Sequence, residues 1–193
     1  MATRNQKIAL GTAAALTVAL PFVQKWEGIW TTAKVDRIGT GQPVTYCYGQ
    51  TDEFGKVKAG TKFTVEQCKE MLLASLPKYN AEISKCITVP ISDTTRAAFV
   101  SMSYNIGTAA FCKSNVLKNI NAGRPVDACN AMMNWVKARG VVVQGLVNRR
   151  KEEKALCLAG LKKAAPVEAE APAAPVKFNL TNWFKSLWQK KEA

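Results

Sequence analysis

The sequence predicts an α+β domain, a small β lobe followed by a larger helical lobe, with an appendage at each end. Three observations carry this reading. β-branched and turn-forming residues dominate positions 25–60, helical periods replace them from Thr64 onward, and composition changes abruptly near residues 24 and 160.

Residues 1–24 read as an export segment. Ile8 to Val23 is an uncharged run preceded by Arg4 and Lys7 and followed by Lys25. As a helix it would reach about 24 Å, short of the roughly 30 Å hydrocarbon core of a bilayer. Its richness in Ala, Gly and Thr makes insertion marginal, and Arg4 and Lys7 would hold the N-terminus in the cytoplasm. Three readings fit: a cleaved signal peptide, a weak anchor that later leaves the bilayer, and a buried Ala-rich core helix. Thr17-Val18-Ala19 is a poor cleavage site, followed by Pro21 and bulky Phe22, which favours the anchor over cleavage.

The domain spans residues 25–160. Pro43 to Gly49, with its β-branched alternation, predicts a short strand and a turn. Thr64 with Gln67 forms a capping box for a helix running to about Leu76. Ser92 or Asp93 caps a second helix that stops at Gly107, Pro125 opens a third after Gly123, and Asn148 to Leu158 belongs to a fourth.

Residues 161–176 form a Pro/Ala-rich linker in which three prolines and no aromatics predict an extended tether. Residues 177–193 place Leu180, Trp183, Phe184, Leu187 and Trp188 at helical spacing, with Lys185, Lys190 and Lys191 elsewhere. A cationic amphipathic helix of this kind suits a membrane interface, with Trp183, Phe184, Leu187 and Trp188 as the contacting face. The alternative is a terminal helix docked on the domain.

The chain has 193 residues, 27 basic against 14 acidic side chains, a net charge of +13 and no histidine. Without histidine there is no Ser-His-Asp triad, no Cys-His nucleophile pair and no His-rich zinc site. No metal or cofactor is expected. The positive charge suits anionic cell walls and lipid surfaces. Nucleic acid is excluded as a partner because an export segment puts DNA out of reach and no recognition motif is present. Six cysteines, Cys47, Cys68, Cys86, Cys112, Cys129 and Cys157, without a Cys-x-x-Cys pair, suit three disulfides in an oxidising compartment, against the alternative of buried free thiols. Element proximity predicts Cys47 with Cys68, Cys112 with Cys129, and Cys86 with Cys157.

Acidic residues are scarce in the β-rich segment. Glu27 sits between Trp26 and Gly28 in KWEGIW, an aromatic setting that favours a protonated carboxyl, whereas Asp36 lies in a polar, Gly-rich turn where a carboxylate stays ionised. Two carboxylates in contrasting environments are what glycosidic bond cleavage requires. On spacing alone, a surface Glu and a turn-forming Asp are equally ordinary.

KWEGIW, Asp36 and VTYCYGQT together resemble the Glu, Asp, Thr signature of phage-type lysozymes, the endolysins of glycoside hydrolase family 24. AAFVSMSYNIGTAAFCKSNVLKNINAG resembles the family's central helix and Asn-x-Gly turn, and GLVNRRKEEKALCL resembles its late helix. The resemblance spans roughly Trp26 to Leu158. It implies a lysozyme-like fold and a monomeric muramidase that cuts the β-1,4 bond between N-acetylmuramic acid and N-acetylglucosamine, causing host cell lysis. Glu27 would be the general acid, Asp36 the second carboxylate, Thr45 the hydroxyl beside it, and Arg149 the cation paired with the acid. The segment from Asp36 to Thr45 is longer than the family's, and Gln50 stands where the family often has His. The N-terminal run resembles that of signal-anchor-release endolysins, first tethered to the inner membrane and then periplasmic. The alternatives are a non-catalytic cationic wall- or membrane-binding module and a lytic transglycosylase.

Overall fold

The computed structural model describes residues 4–36, 43–51 and 55–162, with side chains from residue 13. The linker and the tail carrying Trp183, Phe184, Leu187 and Trp188 lie outside the described residues.

The order of elements is α1 (Arg4–Glu27), β1 (Trp30–Val35), β2 (Val44–Cys47), α2 (Val65–Ser84), α3 (Asp93–Ile106), α4 (Thr108–Lys113), α5 (Asn115–Asn121), α6 (Pro125–Ala131), β3 (Lys137–Ala138), β4 (Val141–Val142) and α7 (Gln144–Lys162). A small antiparallel hairpin thus precedes a helical bundle, as the composition predicts.

The bundle is organised around α3. Its side chains Thr95 and Ala97 to Ser103 are buried, so it is enclosed nearly all round, by α1, α2 and α7. The Ser92 hydroxyl accepts from the Thr95 N–H at its start, and Gly107, at φ 84°, ends it in a conformation that suits glycine. At its N-terminal end α3 crosses α7 closely. Gly160 lies against Ser92 and Thr95, and the Thr95 hydroxyl donates to the Cys157 carbonyl at 3.1 Å.

Helix α1 runs without interruption across residue 24 to Glu27. Ala15, Ala19 and Val23 recur every fourth residue and are fully buried, a stripe of small side chains on a helix that packs against α3 and α2. The alanine-rich composition that weakens membrane insertion therefore makes a close helix–helix contact in the folded domain. Among the described residues, no helix is long and apolar enough to cross a membrane.

The capping box at α2 forms as predicted, with Thr64 accepting from Gln67 N–H at 3.1 Å and Gln67 accepting from Thr64 N–H at 2.8 Å. The helix does not stop at Leu76 but continues through Pro77 to Ser84. The carbonyl displaced by Pro77 is that of Leu73, a half-exposed residue on the helix's outer side, where water can replace the lost bond. In the β lobe, Val35 pairs with Val44, Lys34 with Thr45 and Trp30 with Cys47. Tyr46 is buried and stacks on Phe63 at 5.0 Å between ring centroids.

Three disulfides join Cys47–Cys68, Cys86–Cys112 and Cys129–Cys157. The first agrees with the sequence prediction, and the other two correct it. Cys86 lies just beyond α2, which packs on α4 carrying Cys112, while Cys129 on α6 faces α7 carrying Cys157. Helix α5 separates α4 from α6, so neighbours in sequence are not neighbours in space.

Candidate active site

Glu27 is the last residue of α1, and Gly28, at φ 64°, turns the chain out of the helix into β1. The Glu27 side chain is 19% exposed, and its Oε1 accepts from Arg149 Nη1 at 2.7 Å. On the other side stands the turn after β2, where a Cβ on Gly49 would come 3.7 Å from Glu27 Oε2. The carboxylate is thus held between the N-terminal part of α7 and a backbone turn that can approach because it has no side chain.

That turn is itself fixed. Tyr46 and Gln50 exchange two backbone hydrogen bonds of 3.0 Å. The buried Gln50 side chain accepts from Tyr48 N–H at 2.7 Å and donates to Tyr104 Oη at 3.2 Å, and Tyr104 donates to the Tyr48 carbonyl at 2.7 Å. The position noted for lacking a histidine therefore carries a neutral amide that fastens the turn to α3.

Asp36 follows β1 directly, is partly buried, and donates its N–H to the Pro43 carbonyl at 2.8 Å. Thr45 lies on β2 in register with Lys34. Asp36 and Thr45 therefore occupy the same end of the β1–β2 ladder, and Glu27 precedes the other end. Arg149 and Glu27 are brought into direct contact.

Arg149 is nearly fully buried, and its planar guanidinium is shared among three elements. Besides Glu27 on α1, Nη2 donates to the Ser101 carbonyl on α3 at 3.1 Å and Nε to Glu153 Oε1 on α7 at 3.0 Å. Glu153 also accepts from the Ser101 hydroxyl at 2.7 Å and pairs with Arg150 Nε at 3.1 Å, while Arg150 Nη2 donates to Asn105 at 2.6 Å. Burial pushes the Glu153 carboxyl upward, opposed by the cations of Arg150 and Arg149 and the Ser101 hydroxyl. Burial likewise pulls Arg150 down to about 10, opposed by Glu153. Glu153 Oε1 accepts from both Arg149 and Ser101, whereas Oε2 lies 3.1 Å from Arg150 Nε without a hydrogen bond. Ser101, Glu153 and Tyr104 were not singled out by the sequence. For Glu153 the available signal was its spacing, four residues after Arg149 and three after Arg150.

At the surface, Lys25 Nζ pairs with Glu152 at 2.7 Å, a second link between the end of α1 and α7.

The model of the phage lysozyme family matches residues 24–153. A protein described as a SAR-endolysin, from Bacteriophage PS119, is 32% identical over 165 residues, covering 82% of this chain and 96% of its own. Among solved structures, the endolysin from Escherichia coli O157:H7 phage FAHEc1 is 34% identical with a TM-score of 0.65, covering 73% of this chain and 90% of that one. The muramidase domain of SpmX from Asticaccaulis excentricus is 28% identical with a TM-score of 0.66, covering 72% of this chain and 94% of that one.

Proposed function

The chain belongs to the phage lysozyme family and is a glycosidase that hydrolyses peptidoglycan, and on that premise we propose that Glu27 is its general acid, with Asp36, Thr45 and Arg149 in supporting roles. The observation that carries this reading is the 2.7 Å contact between Glu27 and Arg149 at the junction of the helical and β lobes.

The chemistry follows from charge. Cleavage of the β-1,4 bond between N-acetylmuramic acid and N-acetylglucosamine requires a proton on the leaving oxygen, while positive charge develops on the sugar ring. Proton transfer from Glu27 leaves a carboxylate, and Arg149 is already in place to stabilise it, so this contact strengthens as the reaction proceeds. Asp36, in its polar turn, supplies the negative charge that an oxocarbenium-like state needs, and the Thr45 hydroxyl at the same end of the hairpin helps position the attacking water.

The test is turnover of purified peptidoglycan by Glu27→Gln. An amide of the same shape cannot donate the proton, so hydrolysis should fall to background while the circular dichroism spectrum stays unchanged. A wild-type rate from this variant would refute the assignment. Mass spectrometry of wild-type products should give reducing ends, and anhydro ends would mark a transglycosylase instead.

The proposal extends to delivery. Relatives described as SAR-endolysins support reading Ile8–Val23 as an export signal that first tethers the enzyme to the inner membrane and then releases it into the periplasm. The stripe of Ala15, Ala19 and Val23 cannot lie in a bilayer and on α3 at once, and Glu27 is only four residues beyond Val23. The tethered enzyme would therefore lack its assembled site. The cationic tail with Trp183, Phe184, Leu187 and Trp188 is proposed to add an interfacial contact.

A further inference from the structure

Glu153 is a fully buried carboxyl group that the proposed reaction does not use, yet it is bound to the residue that touches the proposed acid. We infer that Glu153, held by Ser101, is a positioning residue that fixes the Arg149 guanidinium against Glu27 and offsets its charge. The inference rests on the reading of Glu27 as the acid.

The geometry gives Arg149 little freedom. Its Nε, Nη1 and Nη2 are each committed, to Glu153 at 3.0 Å, Glu27 at 2.7 Å and the Ser101 carbonyl at 3.1 Å. A guanidinium is rigid and planar, so fixing Nε from one side sets where Nη1 points on the other. Ser101 acts twice: its carbonyl takes Nη2, and its hydroxyl donates to the same Glu153 oxygen that accepts from Arg149 Nε. Helix α3 thus sets the position of both partners.

The charges also balance. Around Glu153 stand Arg149 and Arg150 on α7 and, beyond Arg149, Glu27 from α1; α3 contributes the Ser101 hydroxyl and, against Arg150, the Asn105 amide. Two guanidiniums therefore face the carboxyl groups of Glu27 and Glu153 in a largely dry site. Removing the charge of Glu153 leaves two cations acting on Glu27 alone, which favours its ionised form. A general acid works only while protonated, so the alkaline limb of the pH–rate profile should then move to lower pH.

The experiment measures kcat and KM for solubilised peptidoglycan across pH, using the full chain. Glu153→Gln keeps the shape and an acceptor for Arg149 and Ser101 but removes the charge. Its alkaline limb should fall by on the order of one pH unit, the effect of a unit charge one guanidinium away. Activity should be about tenfold lower on the alkaline side and near wild type on the acid side, with KM unchanged. Glu153→Asp, which restores the charge, should return the limb towards its original position. Ser101→Ala keeps every charge and loses the hydroxyl, so kcat should fall several-fold at all pH values with the limb unmoved.

A folded Glu153→Gln enzyme with the wild-type limb overturns the inference. If that variant does not fold, wild-type kcat in Ser101→Ala overturns it. Turnover by Glu27→Gln would instead remove the reading of the acid on which the inference rests, whatever the Glu153 variants do.

Discussion

The crossing of α3 and α7 allows two effects of one substitution to be weighed against each other. Replacing Gly160 by Ala, inside α7, should stabilise the helix by about 1 kcal/mol on propensity alone. At this position, however, an added Cβ would lie 2.5 Å from both the Ser92 hydroxyl and the Thr95 backbone nitrogen and would overlap the Thr95 hydroxyl. The first and last of these are tips of side chains, but the nitrogen belongs to the first turn of a buried helix and cannot move alone. Forcing the helices apart should cost about 1–3 kcal/mol as overpacking. Disturbing the Ser92 cap should cost about 1 kcal/mol more. Loss of the bond from Thr95 to the Cys157 carbonyl should add about 1 kcal/mol. After the propensity gain, the net is about 2–4 kcal/mol of destabilisation, or a melting temperature lower by about 5–15 °C for a domain of this size. Gly145, near the start of the same helix, is the control, because nothing lies within 4 Å of a Cβ there. Gly145→Ala should leave the melting temperature unchanged or raise it. Thermal denaturation followed by circular dichroism decides the matter: if Gly160→Ala melts at or above the wild-type temperature, the close approach does not govern this crossing.

Three other outcomes follow from the structure. Peptide mapping of oxidised protein should recover the pairs Cys47–Cys68, Cys86–Cys112 and Cys129–Cys157; with sequence separations of 21, 26 and 28, each bridge should contribute about 3.5 kcal/mol in the chain-entropy account, so reductant should lower the melting temperature. Lys25→Ala removes an ion pair whose side chains are 58% and 38% exposed, so the melting temperature should move by no more than about 3 °C, and a larger drop would mean that this link anchors α1. Ala13, Ala14 and Thr17 are exposed on the docked α1, so their joint replacement by Leu should leave α3 packing intact while favouring insertion by about 0.5 kcal/mol per site. Cell fractionation should then find the protein retained in the membrane and lysis delayed, although the detergent-purified variant hydrolyses isolated walls; lysis on schedule from the membrane fraction would contradict the tether.

The features legible in the sequence were the local ones. The capping box of Thr64 and Gln67, the cap at Ser92 and the stop at Gly107 depend on bonds between residues about a turn apart, the start at Pro125 on proline's fixed φ, and all four appear. The continuation of α2 through Pro77 was not legible, because it depends on Leu73, four residues earlier, lying on the half-exposed side of the helix. Nor was the β3–β4 hairpin, whose Val141 and Val142 are exposed and show no alternation. Disulfide pairing failed for the same reason: it depends on which helices cross, and α5 intervenes between Cys112 and Cys129. At the candidate site, Glu27 and Arg149 lie 122 positions apart and meet as the resemblance implies. Ser101 and Glu153 stayed hidden because a serine in a helix and a glutamate in a charged run are ordinary until their burial is known.

The stripe of Ala15, Ala19 and Val23 gives α1 a further property, since the helix is read by angle as well as by depth. Each residue of an α-helix advances about 1.5 Å and turns about 100°. Glu27 is the terminal residue of that helix, four positions beyond Val23, so the seating of the buried stripe in the bundle dictates the compass bearing of the carboxyl group. A slip of one residue would swing it through more than a right angle, out of reach of a guanidinium whose own bearing is set from α3 as well. Both halves of the contact are thus surveyed from one datum, the central helix. The spacing between Val23 and Glu27 is consequently a dimension of the site as strict as any bond within it, whereas the exposed Thr17 and Pro21 take no part in setting it.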